Sequence, residues 1–251
     1  MFGLSELLAD FQGESRQQIL NALYLLRQKG LLFSPYRAFY VILPPQYRLI
    51  GAVPPNYYID YLMKLLGKRY YFGLLSAAVF HGAAHQRPMS DIVMTERPKL
   101  TAPKTDSRLV RFVYRQEIPQ DFLLEKNSEG GVVRYSNAEL TAVELVQYEQ
   151  YAAGLSHVAT VLEELLESTD FSQAAEGVFR VCKDSAIQRL GYLVEREIGD
   201  ERQGEVIYHE WVRSCRLPHF VPLALQSSAR VLRRDERWKV DVNVKIERDE
   251  V

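Results

Sequence analysis

The sequence predicts an α/β (α+β) chain in two parts: a winged helix-turn-helix over residues 1–50 and a mixed-sheet α/β domain with several helices over residues 57–251. Three observations predict it. Apolar residues recur at helical spacing in two short stretches between Leu4 and Leu26, divided by a turn that contains Gly13. Two β-rich runs around a proline follow directly. Beyond the prolines at 44–45 and 54–55, strand-like segments give way to a long helical stretch and then return, the order expected of helices packed on a mixed sheet.

Each element has its own signal. Leu4, Leu7, Leu8 and Phe11 mark a short helix. After Gln12-Gly13-Glu14, Ser15 and Gln18 form a capping box, in which the serine caps the new helix and the glutamine reaches back. Ile19, Ala22, Leu23 and Leu26 make that helix's apolar face, and Gly30 is its left-handed stop. Leu31–Phe33 and Phe39–Ile42 flank the turn Ser34-Pro35-Tyr36-Arg37 as a hairpin. Helices are expected over 57–66 and 71–85, strands over 91–95 and 109–115, and a strand pair over 122–124 and 132–135 around Glu129-Gly130-Gly131. Five helices follow, over 137–148, 156–167, 171–183, 185–198 and 204–216. The tail, 231–246, returns to alternation, with Val240, Val242, Val244 and Ile246 on one face.

Composition removes several classes. A net charge of −1 gives the whole chain no pull toward nucleic acid, so any such affinity must be local. Cys182 and Cys215 form no CxxC pair, which argues against a disulfide framework or zinc knuckle and suits a reducing cytoplasm. No apolar run approaches the ~20 residues of a membrane span, and the opening Met1–Glu6 lacks the basic region of a signal peptide.

The local basic patch lies in the first part. From 15 to 48 the chain carries Arg16, Arg27, Lys29, Arg37 and Arg48 and no acid. A recognition helix needs one face buried and the other free to enter the major groove. Opposite the apolar face stand Gln17, Asn21, Tyr24 and Gln28, and Gln or Asn side chains pair adenine's N7 and N6 in bidentate fashion. Ser15 and Arg16 flank this face at the helix N-terminus. Tyr36 and Arg37 at the hairpin tip suit the DNA backbone or minor groove. The rival reading is an amphipathic helix whose polar face meets only water. A winged helix also has a helix ahead of the first of these two, and Met1 leaves no room for it.

Ser15-Arg16-Gln17, the run Leu25–Leu31 and Tyr40-Val41-Ile42-Leu43-Pro44 together resemble the N-terminal domain of AbiEi-type antitoxins of type IV toxin–antitoxin systems. The likeness continues through 70–78 with His81-Gly82-Ala83, then 138–146 and 154–159, and so covers nearly the whole chain. The resemblance implies an abortive-infection antitoxin and autorepressor. Its first domain would bind inverted repeats in its own promoter. Its second would counter a nucleotidyltransferase-type toxin, with or without direct contact. It implies no cofactor, and a monomer or weak dimer in the cytoplasm.

Other constellations are weaker. His81 and His85 share an i, i+4 spacing, but H-E-x-x-H is absent and no third ligand is evident, so a hydrogen-bonded pair is the better account. Asp241-Val242-Asn243 lacks the companions of a carboxylate metal site. There is no P-loop, G-x-S-x-G or G-x-G-x-x-G. The run Arg97, Lys99, Lys104, Arg108, Arg111 and Arg115, with only Asp106 among it, reads equally as a solvated face or as a phosphate-binding or antitoxin surface. Arg230, Arg233, Arg234, Arg237 and Lys239 form a second run, diluted by Asp235 and Glu236. The alternative function is enzymatic, a nuclease or nucleotidyltransferase carrying an N-terminal DNA-targeting module, and it requires an acidic metal site that the sequence does not assemble.

Overall fold

The computed structural model describes residues 1–83, 88–100, 109–214, 219–227 and 229–247. They fall into two compact units. One comprises Met1–Tyr71, Met89–Ile118 and Glu125–Arg134; the other comprises Phe72–Pro88, Pro119–Leu124 and Tyr135–Val251. The chain is mixed α and β throughout.

The first unit opens with a short strand, β1 (Phe2–Gly3), and two helices, α1 (Leu4–Asp10) and α2 (Arg16–Gln28). Glu6 starts α1 by accepting the Gly3 N–H at 2.6 Å, which satisfies a donor the helix end leaves open. Ser15 caps α2 as its sequence requires: its hydroxyl accepts from the Gln18 N–H and Gln18 Oε1 accepts from the Ser15 N–H. Gly30, at φ +65°, lets the chain turn away after the helix. The hairpin β2 (Leu32–Tyr36) and β3 (Phe39–Ile42) then forms a three-stranded sheet in the order β1-β3-β2, with β1 antiparallel to β3.

The hairpin differs from expectation in its turn. β2 continues through Pro35 to Tyr36, and the reversal falls at Arg37 and Ala38, the latter at φ +57°. Pro35 is tolerated because β2 is an edge strand and its register shifts between Phe33 and Tyr36. Phe33 and Phe39 carry the packing onward to Tyr58 and Tyr61, beside and on α3 (Ile59–Leu65), at centroid distances of 6.0–6.3 Å.

Residues 71–85, read as one helix from sequence, divide. Tyr70–Phe72 form strand β4, fully buried, and α4 runs from Leu74 to His81, stopped by the left-handed Gly82. Three consecutive aromatics favour a strand, and the small residues after them favour a tightly packed helix. His85 lies outside the described residues. β5 (Asp91–Glu96) and β6 (Val110–Arg115) pair in parallel. The buried core of β5, Ile92 to Thr95, fits a strand covered on both faces. β7 (Leu123–Ser128) and β8 (Gly131–Ser136) complete a five-stranded sheet ordered β6-β5-β4-β8-β7, in which β4 and β8 are parallel.

The second unit is built round α5 (Ala138–Gln147), capped by Asn137 and buried from Leu140 through Val146. A helix buried on every side, here with Thr141 and Glu144 among its buried residues, belongs at a core's centre. It packs against α4, α6 (Leu155–Leu166), α7 (Phe171–Arg180) and α8 (Asp184–Tyr192). α8 continues as a π-helical segment, Leu193–Ile198, before α9 (Glu201–Ser214). The tail folds as β9 (Val221–Pro222), β10 (Arg233–Asp235) and β11 (Val240–Val242) in the order β10-β11-β9. β11 stops at Val242, short of the expected Ile246, because the buried Asn243 side chain takes over. It accepts from the Ala224 N–H and donates to the Ala224 carbonyl.

Candidate nucleic-acid interface

α2 buries Ile19 and Leu23, which cluster with Leu4, Leu32 and Tyr40, and packs the half-buried Leu20 against the same cluster. The opposite face is open. Ser15, Arg16, Gln17 and Asn21 are exposed, and Tyr24 is 60% exposed. Gln17 Nε2 donates to Asn21 Oδ1 at 2.9 Å, so these two amides are held side by side one helical turn apart. That bond leaves the Gln17 carbonyl and the Asn21 amino group for an external partner, a matched acceptor and donor.

The expected apolar face is narrower in the structure. Ala22 is exposed and Leu26 is 38% exposed, and with Phe2, Leu7 and Phe11 they line an apolar hollow of about 350 Å³ rimmed by Glu14 and Gln18. The hollow lies to the side of the Gln17–Asn21 face, about a quarter-turn or more round the helix.

At the hairpin tip Arg37 is exposed and Tyr36 half-buried. The tip is fixed from both sides: Ser34 Oγ donates to the Phe39 carbonyl at 2.9 Å, and the Leu4 N–H donates to the Ala38 carbonyl at 2.8 Å. Arg16, Arg27, Lys29 and Arg37 make no ion pair with any described residue. Their charge is therefore not neutralised locally.

The second basic run is split by the structure. Arg97 and Lys99 are exposed, as is Arg111, while Lys104 and Arg108 lie outside the described residues. Arg115 is buried and donates to the Tyr71 hydroxyl at 3.1 Å, so its guanidinium serves the interior. The sequence carried a sign of this: Arg115 shares its strand face with Val113, also buried. The run near the C-terminus is neutralised. Arg233 faces Glu197, Arg234 pairs with Asp241, Arg237 with Glu195 and Glu205, and Lys239 with Glu236. His81 is satisfied by the Ser136 carbonyl at 2.8 Å and lies against Tyr135. Among the described residues no group of three or more His, Cys, Asp or Glu could hold a metal ion, and no helix is long and apolar enough to cross a membrane.

Helix, turn, capped helix and hairpin, followed by a mixed α/β body, define a class of protein in which a short helical module precedes a larger domain. Residues 71–196, half of the chain, match the model of the AbiEi antitoxin C-terminal domain, and the chain belongs to that family. The crystal structure of the RV2827C protein from Mycobacterium tuberculosis has a similar fold, with a TM-score of 0.64 and 16% identity, over 91% of this chain and 80% of that one. No curated protein matches the chain by sequence. Family membership carries an antitoxin role and, with it, a toxin as functional partner.

Proposed function

We propose that this protein is the antitoxin and transcriptional autorepressor of a type IV toxin–antitoxin operon, working in the cytoplasm. Residues 1–50 act as a winged helix-turn-helix on inverted repeats in the promoter, and residues 57–251 counter a nucleotidyltransferase-type toxin. The antitoxin half of this reading rests on the family match. The DNA half rests on one observation: α2 buries Ile19 and Leu23 and presents a paired Gln17 and Asn21 to solvent. Gln17, Asn21 and Tyr24 contact base edges, while Ser15, Arg16, Tyr36 and Arg37 hold the phosphates and groove edge.

The test is a gel-shift titration of full-length protein on a duplex from the region upstream of its own gene. Asn21→Ala should weaken binding by about 1–3 kcal/mol and relax the preference at one base position. Unchanged affinity and preference would remove α2 as the reading element.

A further inference from the structure

We infer that a second copy of this chain covers the open side of α2, with the two α2 helices paired antiparallel about a two-fold axis near Ala22.

The covered stripe is built by spacing. Gln18, Ala22, Leu25 and Lys29 follow at i, i+4, i+7 and i+11, which sets them on one helix face. Lys29 caps the helix, yet its N–H still donates to the Leu25 carbonyl at 3.0 Å, so it continues that face. Glu14 extends the stripe at the other end, because it lines the same apolar hollow as Gln18, Ala22 and Leu26. All of these side chains are exposed, Leu25 by 57%, and so is Phe11 across the hollow, by 54%. A single exposed leucine is ordinary. Phe11 and Leu26 walling one hollow, with Leu25 a turn beyond Ala22, make a continuous apolar surface of the kind that binds another protein.

The order of residues along the stripe fits a second copy. It begins on an acid, Glu14, passes through a small residue, Ala22, at its midpoint and ends on a base, Lys29. Glu14 and Lys29 make no ion pair with any described residue. In an antiparallel pair centred on Ala22, Glu14 of each copy meets Lys29 of the other. Leu25 and Leu26 of each face Gln18 and the hollow of the other, and the Ala22 methyls meet at the crossing, where they let the helices approach closely. A parallel pair sets acid against acid and base against base. Complementarity to itself under a two-fold rotation is what an isologous dimer requires.

The thirteen residues of α2 span about 20 Å, so the contact stays below the roughly 1,200 Å² of a stable interface and the dimer is weak. Gln17 and Asn21 lie about a quarter-turn from the stripe and remain uncovered. Packed helices stand roughly 8–10 Å apart, however, and half-sites in successive major grooves are roughly 34 Å apart. Paired copies therefore cannot read two half-sites at once, and self-association competes with operator binding. That consequence rests on the DNA-binding reading above; the pairing does not.

Sedimentation velocity of the full-length protein without DNA, between about 1 and 100 μM, is the test. The wild type should pass from monomer to dimer across this range. Leu25→Glu should stay monomeric with unchanged circular dichroism, since most of that side chain already meets solvent. Leu232→Glu, at a residue 68% exposed elsewhere, should behave as the wild type. Glu14→Lys and Lys29→Glu should each weaken association by roughly tenfold, because each turns two symmetric attractions into repulsions. Mixed in equal amounts, these two variants should associate at least as well as the wild type, since opposite charges then meet at both ends. A wild type that stays monomeric throughout overturns the inference, as does a Leu25→Glu protein that still dimerises, or a mixture that associates no better than its separate variants. None of these outcomes touches the DNA-binding reading, which the gel shift tests.

Discussion

Gly191 sits where a side chain would collide with the Trp238 ring, which is itself completely buried. Trp238 cannot retreat. Its backbone N–H donates to Asp235, its indole N–H donates to Glu195 at 2.8 Å, and its carbonyl accepts from Gln188 at 3.1 Å. Gly191→Ala should therefore destabilise by at least about 3 kcal/mol, the upper range for overpacking, because neither α8 nor the ring can yield. Chemical denaturation measures this, and a change below about 1 kcal/mol would show that the ring moves freely after all. A second pin joins the tail to the helices. Arg189, fully buried, donates to the Leu223 and Val146 carbonyls and pairs with Glu149, whose other oxygen accepts the Leu225 N–H. Burial lowers the guanidinium to about 10, yet it stays charged at neutral pH and needs its carboxylate. Neither device was legible in the sequence. Gly191 and Trp238 are far apart along the chain, and nothing local marks Arg189 as interior when most arginines face water.

At the scale of elements, the signals that were legible are local ones. The Ser15–Gln18 box and the Gly30 stop each lie within a few residues of what they bond, and each forms as the sequence predicts. Tyr71 and Phe72 read as helix because buried aromatics before a helix have no period of their own, and only pairing with β5 and β8 makes them a strand. β1 escaped notice because two residues carry no pattern; its place is set by Phe2 stacking on Tyr40 at 5.6 Å. Beside it, α1 is tied down by Glu6. The Gly3 N–H and the Tyr61 hydroxyl both donate to this carboxylate and hold its pKa below the ordinary 4.5. A lowered folded-state value means the contribution is present above the unfolded pKa and is lost as pH falls through the folded one. Glu6→Gln should thus lower the melting temperature at neutral pH, and the gap to wild type should close on acidification from about pH 5 downward. A gap that stays constant into acid would show that Glu6 acts through something other than its charge.

The proposed function puts two tasks on one chain, and the contacts of the first unit decide which variants can separate them. Ring contacts from Phe33 and Phe39 to Tyr58 and Tyr61, and the Glu6–Tyr61 bond, cross the stretch between residues 50 and 57. Cutting there would strip Tyr58, which is almost fully buried, of its cover. Truncation would then confuse loss of a task with loss of a fold. Point changes on exposed side chains avoid this. Gln17→Ala/Asn21→Ala removes two solvent-facing amides and no buried atom, so the fold and the family-matched domain should be untouched. In cells that also express the cognate toxin from an independent promoter, this variant should protect growth as well as the wild type does. On a reporter fused to the operon's own promoter, it should fail to repress. The opposite variant, Gly191→Ala, loosens the second unit through Trp238 and should weaken protection while its α2 face remains intact. If Gln17→Ala/Asn21→Ala loses protection while expression of the independently driven toxin is unchanged, then the α2 face itself takes part in neutralisation, and the division of labour proposed for the two parts of the chain is wrong.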